Sequence, residues 1–509
     1  MKRKTIGKVY LVGAGPGDSE LITIKGLKCI KKADILIYDY LANNKLLKNT
    51  KSDSEVIYVG KKIGKHTLEQ EEINKLLVEK ALKGKIVTRL KGGDPLVFGR
   101  GAEEAIYLKK NGIPFEIIPG VTSIISVPAY AGIPVTHRGL SVSFAVITGH
   151  EDPKKEFPQV KWDRVASGLD TLIIIMGMKN LSYITKILMK NGLSSEKDIA
   201  IIQWGCTPRQ KTVVGKLKNI NELVKKEDLS SPSVIIIGDV VKLRNELNWF
   251  ESKPLFGKKV MITRPEEQAS EIVELLSNIG AEVIEFPLIK IMPPYTWKYI
   301  DETIKKLKIY DWIIFTSVNG VKYFFQRFFK YFRDIREFEK VKICAIGETT
   351  EKMIKDYYLD VDLIPGKYTS ESLVEVFSKM RSLKNKRFLL PRANIANEYL
   401  SNELRKFGAI VDEISVYRTL TVREYNNGYV KMLKKGDIDI ITFTSSSTVK
   451  SFISMAKKNN MLNILSSLEV VSIGPETTKT ALENGFNVKA EAKIHNIKGV
   501  SNTIMDLYN

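Results

Sequence analysis

Short apolar segments alternate with amphipathic helical segments along most of this chain, and this alternation constrains the fold more than any other feature. A helical segment is EEINKLLVEKAL at 71–82, and the strand-like segments include ILIY at 35–38, KIVTRL at 85–90, TLIIIM at 171–176 and SVIIIG at 233–238. Such strands, separated by helices, are typical of sheets that are covered by helices. We therefore expect an α/β protein.

The length of 509 residues exceeds what one hydrophobic core organises. WFESKPLFG at 249–257 separates two segments that each open with a basic, strand-like stretch, Lys8 to Val12 and Lys258 to Thr263. We expect one domain at 1–249, a linker at 250–256 and a second domain at 257–509.

The formal net charge of +21 comes from lysine spread over the whole chain. No basic stripe or binding module for nucleic acid is present, whereas such a field would attract a small substrate with many carboxylates. Without a long apolar run or a signal peptide, we expect a cytoplasmic protein that does not enter a membrane. Cys29, Cys206 and Cys344 lack the spacing of a disulfide framework or a metal site, so no metal is expected.

The second domain contains an internal repeat with an offset of 128 residues. Thr316-Ser317 matches Thr444-Ser445, and Arg264 matches Arg392 at the same offset. The repeated strands are each followed by small polar residues, which would lie at the carboxyl edge where open α/β sheets bind ligands. A cleft between two α/β halves is therefore the expected site.

In the first domain, the strand that ends in VTRLKGGDP at 87–95 leads into two glycines and an aspartate. Gly92 and Gly93 let the backbone approach a ligand closely, and Asp94 sets a negative charge beside it, although the same residues also favour a simple turn. VGAGPGD at 12–18 does not match the GxGxxG dinucleotide pattern, and Pro16 removes a backbone donor, so NAD is not expected.

In combination, these motifs resemble the tetrapyrrole methylase family, and within it the uroporphyrinogen-III C-methyltransferases. The matching stretches are VGAGPGD at 12–18, ADILIYDYL at 33–41, VGKKIGKHTLEQEEIN at 59–74, RLKGGDPLVFGRGAEE at 89–104, PGVTSIISVPAYAGIPVTHR at 119–138, IIIMGM at 173–178 and QWGCTPRQ at 203–210. The resemblance implies a two-lobed methylase fold, with lobes at about 1–115 and 116–249. It also implies S-adenosylmethionine as methyl donor and precorrin-2 as the product of two transfers.

The resemblance also assigns roles to individual residues. It implies Asp39 as a proton acceptor and Lys61 as a proton donor, although an ordinary salt bridge or helix cap would also explain them. Val97 and Met176, placed with the donor site, would equally suit a core. Arg89, Arg100 and Arg138, like His66 and Lys91, lie in matched motifs and could bind substrate carboxylates. The family's donor-binding positions fall on Pro16, Gly92, Gly93, Asp94, Val97, Thr122, Ser123, Met176 and Gly205.

The second domain resembles uroporphyrinogen-III synthase. The matching stretches are TRPEEQ at 263–268, FPLIKI at 286–291, IIFTSVNGV at 313–321, AIGETT at 345–350, PGKYTSESL at 365–373, EISVYRT at 413–419, TFTSSSTV at 442–449 and SIGPETTKTALENGF at 472–486. The resemblance implies two α/β lobes with flavodoxin-like parallel sheets: lobe one at about 257–291 plus 419–509, and lobe two at about 292–418. It implies cyclisation of hydroxymethylbilane with inversion of the last ring and without a cofactor.

For that reaction the resemblance points to Tyr417, which could assist departure of the hydroxyl group, although an interlobe packing role would also explain it. Ser317, Asn319, Thr444 and Ser446 could bind substrate carboxylates or simply cap helices.

We expect a bifunctional enzyme that makes precorrin-2 for sirohaem or cobalamin, with tetrapyrroles as its small-molecule partners and a possible homodimer through the methylase domain. Two alternatives are a methylase that acts on a later precorrin and a methylase with a non-catalytic, tetrapyrrole-sensing C-terminal module.

Overall fold

Strands and helices alternate along both halves of the chain. The computed structural model describes residues 6–60, 69–150, 160–380, 382–422 and 424–508. The chain divides into two compact units, one formed by Met1–Lys258 with Ile279–Glu282 and the other by Lys259–Asn278 with Val283–Asn509. Four five-stranded sheets, two from residues before 258 and two from residues after it, confirm the α/β class.

The first sheet is wholly parallel, in the order β3-β2-β4-β1-β5. Its strands are β1 (Lys8–Gly13), β2 (Ile35–Tyr38), β3 (Glu55–Tyr58), β4 (Ile86–Lys91) and β5 (Phe115–Ile118), and its helices are α1 (Ile24–Lys32), α2 (Gln70–Leu82), α3 (Gly101–Lys110) and α4 (Ser123–Tyr130). Leu11, Ile37 and Val87 are fully buried, as expected where helices cover both faces. The sheet includes β5 and so extends slightly past the lobe boundary predicted near residue 115.

The second sheet is mixed, in the order β6-β7-β10-β8-β9, and only β6 and β7 pair in parallel. Its strands are β6 (Phe144–Thr148), β7 (Thr171–Ile175), β8 (Asp198–Gln203), β9 (Lys211–Lys216) and β10 (Ser233–Ile237), and its helices are α5 (Trp162–Ser167), α6 (Leu181–Lys190), α7 (Ile220–Lys226) and α8 (Arg244–Leu247). Strands β8 and β9 are antiparallel because the loop between them is too short for a crossover.

The second unit has two sheets, which define lobe one (β12-β11-β18-β19-β20) and lobe two (β13-β17-β16-β14-β15). The strands are β11 (Lys259–Ile262), β12 (Glu282–Glu285), β13 (Ile289–Met292), β14 (Trp312–Phe315), β15 (Lys342–Ala345), β16 (Arg387–Ala393), β17 (Ile410–Thr421), β18 (Ile440–Phe443), β19 (Glu469–Ser472) and β20 (Asn487–Glu491). The helices are α9 (Ser270–Asn278), α10 (Lys298–Lys305), α11 (Val318–Phe328), α12 (Glu348–Lys355), α13 (Ser370–Ser378), α14 (Tyr399–Lys406), α15 (Asn427–Lys435), α16 (Ser446–Lys458), α17 (Pro475–Glu483) and α18 (Ile497–Asp506).

Lobe one has the flavodoxin-like strand order 2-1-3-4-5, as predicted. In lobe two, the four parallel strands follow the same order, but the antiparallel strand β13 takes the last edge. Because β13 and all of β17 belong to lobe two, this lobe extends slightly beyond the predicted limits at 292 and 418.

The 128-residue repeat does not coincide with the lobes. At this offset β11 and β12 correspond to β16 and β17, while β14 and β15 correspond to β18 and β19. Each repeat therefore gives two of these equivalent strands to each lobe, and they take the same order in the two sheets, β12-β11-β18-β19 and β17-β16-β14-β15. The segments that cross between the lobes also pair with each other, and Ile291 faces Thr419, its own repeat equivalent. A local twofold relation therefore passes through this pair.

Candidate functional site

Four glycines pack the loops at the carboxyl edge of the first sheet. Gly93 N donates to Gly15 O at 2.9 Å, and Gly15 N donates to Gly93 O at 3.2 Å. A Cβ added to Gly13 would lie 2.6 Å from Gly120 Cα, and one added to Gly120 would lie 2.4 Å from Gly93 O. The loops after β1, β4 and β5 therefore meet at distances that larger residues would not permit.

Gly93 lies against the start of helix α4. Its φ of +67° favours glycine, and the nearest atoms to an added Cβ are Ser123 N at 3.8 Å and Thr122 Cα at 3.9 Å. Thr122 is the N-cap residue of α4, but its side chain makes no capping hydrogen bond. The predicted donor-binding positions Gly93, Thr122 and Ser123 are therefore neighbours at the start of α4.

Asp94 joins the loop after β4 to the loop after β5. Its Oδ2 accepts a hydrogen bond from Gly120 N at 3.0 Å, and its Oδ1 accepts one from Leu96 N at 2.8 Å. The carboxylate thus has the turn-forming role that the sequence left open. Its interaction with a cationic ligand stays a prediction.

The loop between β8 and β9 reaches the glycine loop after β1. A Cβ added to Gly17, next to Pro16, would lie 2.6 Å from Gly205 O, and one added to Gly205 would lie 2.4 Å from Val127 Cγ1 of helix α4. The predicted positions at Pro16 and Gly205 are therefore brought to the same side of α4.

The backbone is strained around this region. Phe98, Arg100, Met176, Trp204 and Cys206 all have positive φ without being glycine. Strain of this kind is concentrated at functional sites. Met176, at the end of β7, is 49% exposed. It is therefore not the core residue that the alternative interpretation describes.

Val97 does take part in a core. It packs against the apolar cluster that α4 forms with the second sheet. A contact between Val97 and a methyl donor stays a prediction.

Asp39 follows β2 and is held by a buried ionic network that the sequence did not reveal. Arg89 Nη2 donates to Asp39 Oδ2 at 3.2 Å, and Arg89 Nε donates to Glu104 Oε1 at 3.4 Å. Lys91 Nζ donates to the same Glu104 oxygen at 2.8 Å. Burial, and after it the charge of Arg89, lower the pKa of Lys91. A sequence signal for Glu104 exists, since it shares a helical face with the buried residue Leu108.

Because of this buried network, Arg89 is not available as a substrate ligand, contrary to the expectation from the sequence. Its side chain is only 4% exposed, and its donors are directed to Asp39, Glu104 and Leu90 O. The same burial applies to Lys91. Arg100, which pairs with Glu103 at 2.7 Å, and Arg138 are exposed and remain accessible to a ligand. Lys61 and His66 lie outside the described residues.

Tyr417 lies in lobe two, where β17 leaves β16. Its Oη is 3.1 Å from Ser317 Oγ, and its ring stacks on Tyr323 with centroids 6.0 Å apart. Ser317 Oγ also accepts a hydrogen bond from Gly320 N at 3.0 Å, so it both caps α11 and contacts the phenol. Burial raises the pKa of Tyr417, and Ser317, Asn319 and the charge of Arg392 offset this in part.

The other polar residues predicted for the cleft are divided between the lobes. Asn319 Oδ1 accepts a hydrogen bond from Gln268 Nε2 at 2.9 Å, a link between the two lobes that the sequence did not predict. Thr444 lies at the equivalent edge of lobe one, half-buried after β18. Ser446 Oγ accepts from Thr480 Oγ1 at 3.0 Å within lobe one.

Within the described ranges, no three or more His, Cys, Asp or Glu side chains are grouped as metal ligands. In the same part of the chain, no helix has the length and apolar character needed to cross a bilayer. Cys29, Cys206 and Cys344 are free and buried.

Comparison with known proteins confirms both family resemblances. The family described as Tetrapyrrole (Corrin/Porphyrin) Methylases matches residues 8–221, and the family described as Uroporphyrinogen-III synthase HemD matches residues 270–502. The first half is 57% identical over 236 residues to the uroporphyrinogen-III C-methyltransferase of Priestia megaterium, covering 46% of this chain and 99% of that protein. It is 47% identical over 241 residues to the S-adenosyl-L-methionine-dependent uroporphyrinogen III methyltransferase of Methanosarcina barkeri, covering 47% and 94%.

One relative spans both units. The porphyrin biosynthesis protein HemD of Ruminiclostridium josui is 37% identical over 475 residues, which cover 93% of each chain. This protein therefore belongs to the family of porphyrin biosynthesis proteins in which a tetrapyrrole methylase precedes a uroporphyrinogen-III synthase.

Proposed function

We propose that this chain carries out two consecutive reactions of tetrapyrrole synthesis. The second unit cyclises hydroxymethylbilane to uroporphyrinogen III with inversion of the last ring. The first unit then methylates that product twice from S-adenosylmethionine, which gives precorrin-2 for sirohaem or cobalamin. The main support for this proposal is that both families match one chain. The product of the synthase reaction is the substrate of the methylase reaction.

The predicted donor-binding positions around the start of α4 support S-adenosylmethionine as the methyl donor. Gly93 has no side chain to block the approach to Ser123 N and Thr122 Cα, which lie 3.8 and 3.9 Å from the position of an added Cβ. Gly92, Gly93, Thr122 and Ser123 would hold the donor, with Pro16, Asp94, Val97, Met176 and Gly205 completing the site. When bound, S-adenosylmethionine supplies an electrophilic methyl group. The chain's own task is to orient the pyrrole carbon and to exclude water.

After methylation the ring must lose a proton, and Asp39 would accept it. The pairing of Asp39 Oδ2 with Arg89 at 3.2 Å supports this proposal, because it fixes the orientation of the carboxylate. Arg89 is in turn fixed by Glu104, whose side chain is fully buried. Arg89 and Glu104 are thus positioning residues for Asp39, while Arg100 and Arg138 would bind carboxylates of the porphyrinogen.

In the synthase unit, Tyr417 would donate a hydrogen bond to the departing hydroxyl group. Because burial raises its pKa, the phenol keeps its proton at neutral pH. Loss of the hydroxyl leaves a cationic azafulvene, which reacts through a spiro intermediate that fragments and recloses. Ser317 orients the phenol, and Thr444 faces a substrate carboxylate from lobe one.

An assay of the purified chain with hydroxymethylbilane, with and without S-adenosylmethionine, tests both activities. We expect the type III porphyrinogen without the donor and a twice-methylated product with it, identified by absorbance and mass. A type I ring alone would contradict the synthase assignment and favour the sensing-module alternative. Failure to methylate supplied uroporphyrinogen III would favour a later precorrin as acceptor.

The role of Asp39 has its own test. We expect Asp39→Asn to lower the methylation rate by about 100-fold, the scale of general-base catalysis. Synthase turnover on the same chain serves as an internal folding control. Asp53→Asn is the matched variant, because Asp53 is an exposed carboxylate of the same unit. Equal rates for the two variants would remove Asp39 from the mechanism.

Oligomeric state and location belong to this proposal as well. We propose a homodimer through the methylase unit, in the cytoplasm. Val142 is 86% exposed and Phe144 40% exposed, an apolar surface suited to self-association. Sedimentation equilibrium of the full chain and of Val142→Lys would test the dimer, since the variant should sediment as a monomer.

A further inference from the structure

Arg264 is a partly buried cation at the carboxyl edge of lobe one, just after β11. Its Nη2 donates to Gln268 Oε1 at 3.1 Å. Within the described residues, no carboxylate lies within 4.0 Å of its guanidinium. Burial lowers the pKa of Arg264, and the more distant Glu271 offsets this only in part. Holding such a charge away from water is costly unless an anion compensates it.

The repeat supplies a direct comparison, because Arg392 is the equivalent residue of lobe two. Arg392 Nη1 donates to Glu413 Oε2 at 2.5 Å, and Nη2 donates to Asn397 O. The charge of Arg392 is therefore neutralised within its own lobe. The same strand position thus carries a compensated arginine in one lobe and an uncompensated arginine in the other.

Arg264 is also connected to the tyrosine side of the cleft. Gln268, which accepts from Arg264, donates through Nε2 to Asn319 Oδ1 at 2.9 Å. Asn319 lies in helix α11, two residues after its N-cap residue Ser317, and Ser317 Oγ contacts Tyr417 Oη. Hydrogen bonds therefore link Arg264 in lobe one to the first turn of the helix whose cap contacts the phenol in lobe two. The repeat equivalents of Gln268 and Asn319 are Ala396 and Ser447, so this link is made only once.

We infer that Arg264 binds a carboxylate of the linear tetrapyrrole and thereby positions the substrate relative to Tyr417. The inference rests on the proposed synthase function. A guanidinium can bind a carboxylate through two parallel N–H donors. Gln268 accepts a hydrogen bond from Arg264 Nη2, which fixes the orientation of the guanidinium and leaves its other donors available. The acetate and propionate side chains of hydroxymethylbilane would compensate the charge of Arg264, which no carboxylate among the described residues does. Arg264 is thus a substrate-binding residue, whereas Arg392 is structural.

Steady-state kinetics of the full chain without the methyl donor test this role. Arg264→Gln should raise KM for hydroxymethylbilane by about tenfold or more while kcat changes less than about twofold, because a binding contact is lost. The KM of Arg264→Lys should lie between those of the wild type and Arg264→Gln, because lysine keeps the charge but cannot donate two parallel hydrogen bonds to one carboxylate. Methylation of supplied uroporphyrinogen III by the same variants should be unchanged.

Arg336→Gln is the matched control. It removes the same charge from the same unit, but Arg336 is 88% exposed and pairs only with Asp334 among the described residues. We expect its KM to equal that of the wild type. An unchanged KM in Arg264→Gln, or a loss confined to kcat, would overturn the inference.

Hydrogen exchange distinguishes a failure of this inference from a failure of the proposed synthase function. Uroporphyrinogen III, the octacarboxylate product, should protect peptides that cover residues 259–278, and Arg264→Gln should need about tenfold more ligand for the same protection. Equal protection in the two proteins would overturn the role of Arg264. A wild type that binds the ring but forms no type III product would instead overturn the synthase function alone.

Discussion

The two lobes of the synthase unit share one strand order but differ in the chemistry at equivalent positions. Tyr417 corresponds in the other repeat to Ile289, at the start of β13, and Arg392 with its partner Glu413 corresponds to Arg264, which has no carboxylate partner among the described residues. Duplication therefore gives two similar sheet edges, and in the proposed mechanism substitution has made one of them reactive and the other a binding surface. Such a division suits a substrate that reacts at one end and carries carboxylates along its whole length.

Removal of the tyrosine hydroxyl should have the largest effect. We expect Tyr417→Phe to lower kcat for type III formation by about 100-fold, the scale of general-acid assistance. The ring and its stacking on Tyr323 are kept, so the fold should be unaffected. Ile289→Val at the equivalent position should leave the rate unchanged. Equal losses at the two positions would mean that packing, rather than the hydroxyl group, explains the role of Tyr417.

The two arginines should differ in their contribution to stability. Arg392→Met should destabilise lobe two by about 2 kcal/mol, because Glu413 loses its nearest cation and keeps only Arg405, at 3.0 Å. Arg264→Met should change stability by less than about 1 kcal/mol, since a costly buried charge is removed together with one hydrogen bond.

Native-state hydrogen exchange of peptides from β16 and β17, and from β11, would measure both changes in the arginine variants. The comparison fails if Arg264→Met destabilises its lobe as much as Arg392→Met does. In that case the two guanidinium groups would both be structural, and the asymmetry between the lobes would be confined to Tyr417.

The sequence predicted the scaffold better than the contacts between its parts. Apolar runs such as TLIIIM gave the α/β class, and the glycines at 92, 93 and 205 marked loops that do meet in space. The burial of Arg89 could not be read from its motif, because its partner Glu104 lies on a helix and becomes a neighbour only after folding. For the same reason the Gln268–Asn319 bond between the lobes was not predicted.

The repeat also shows why lobe boundaries are hard to predict. Each repeat gives strands to both lobes, and the crossing segments pair around Ile291 and Thr419. Equivalence in sequence therefore identifies equivalent strands correctly but does not say which of them fold into one sheet. That assignment depends on pairing between strands distant in the chain, which local patterns do not encode.

The two helix-capping serines give a smaller contrast. Ser317 Oγ and Ser445 Oγ each accept a hydrogen bond from the first turn of the following helix, at 3.0 and 3.3 Å. Replacement of either by alanine should cost about 1 kcal/mol of stability. Only Ser317→Ala should also slow type III formation, because only Ser317 contacts Tyr417. Paired urea unfolding and rate measurements would test this, and equal rates for the two variants would contradict it.

The smallest expected effect is the pH dependence that Tyr417 brings to the reactive lobe. Burial raises its pKa above the ordinary tyrosine value, so the folded state holds this proton more tightly than the unfolded chain. The stabilising contribution is complete below about pH 10 and is lost as pH rises through the raised pKa. The phenol proposed to assist the leaving hydroxyl therefore stays protonated, and the synthase rate should show no decline due to Tyr417 between about pH 6 and 9. Rate profiles of the wild type and of Tyr417→Phe should then run parallel over this range. A decline near neutral pH that Tyr417→Phe abolishes would require an acidic phenol, and the buried environment of lobe two would not account for it.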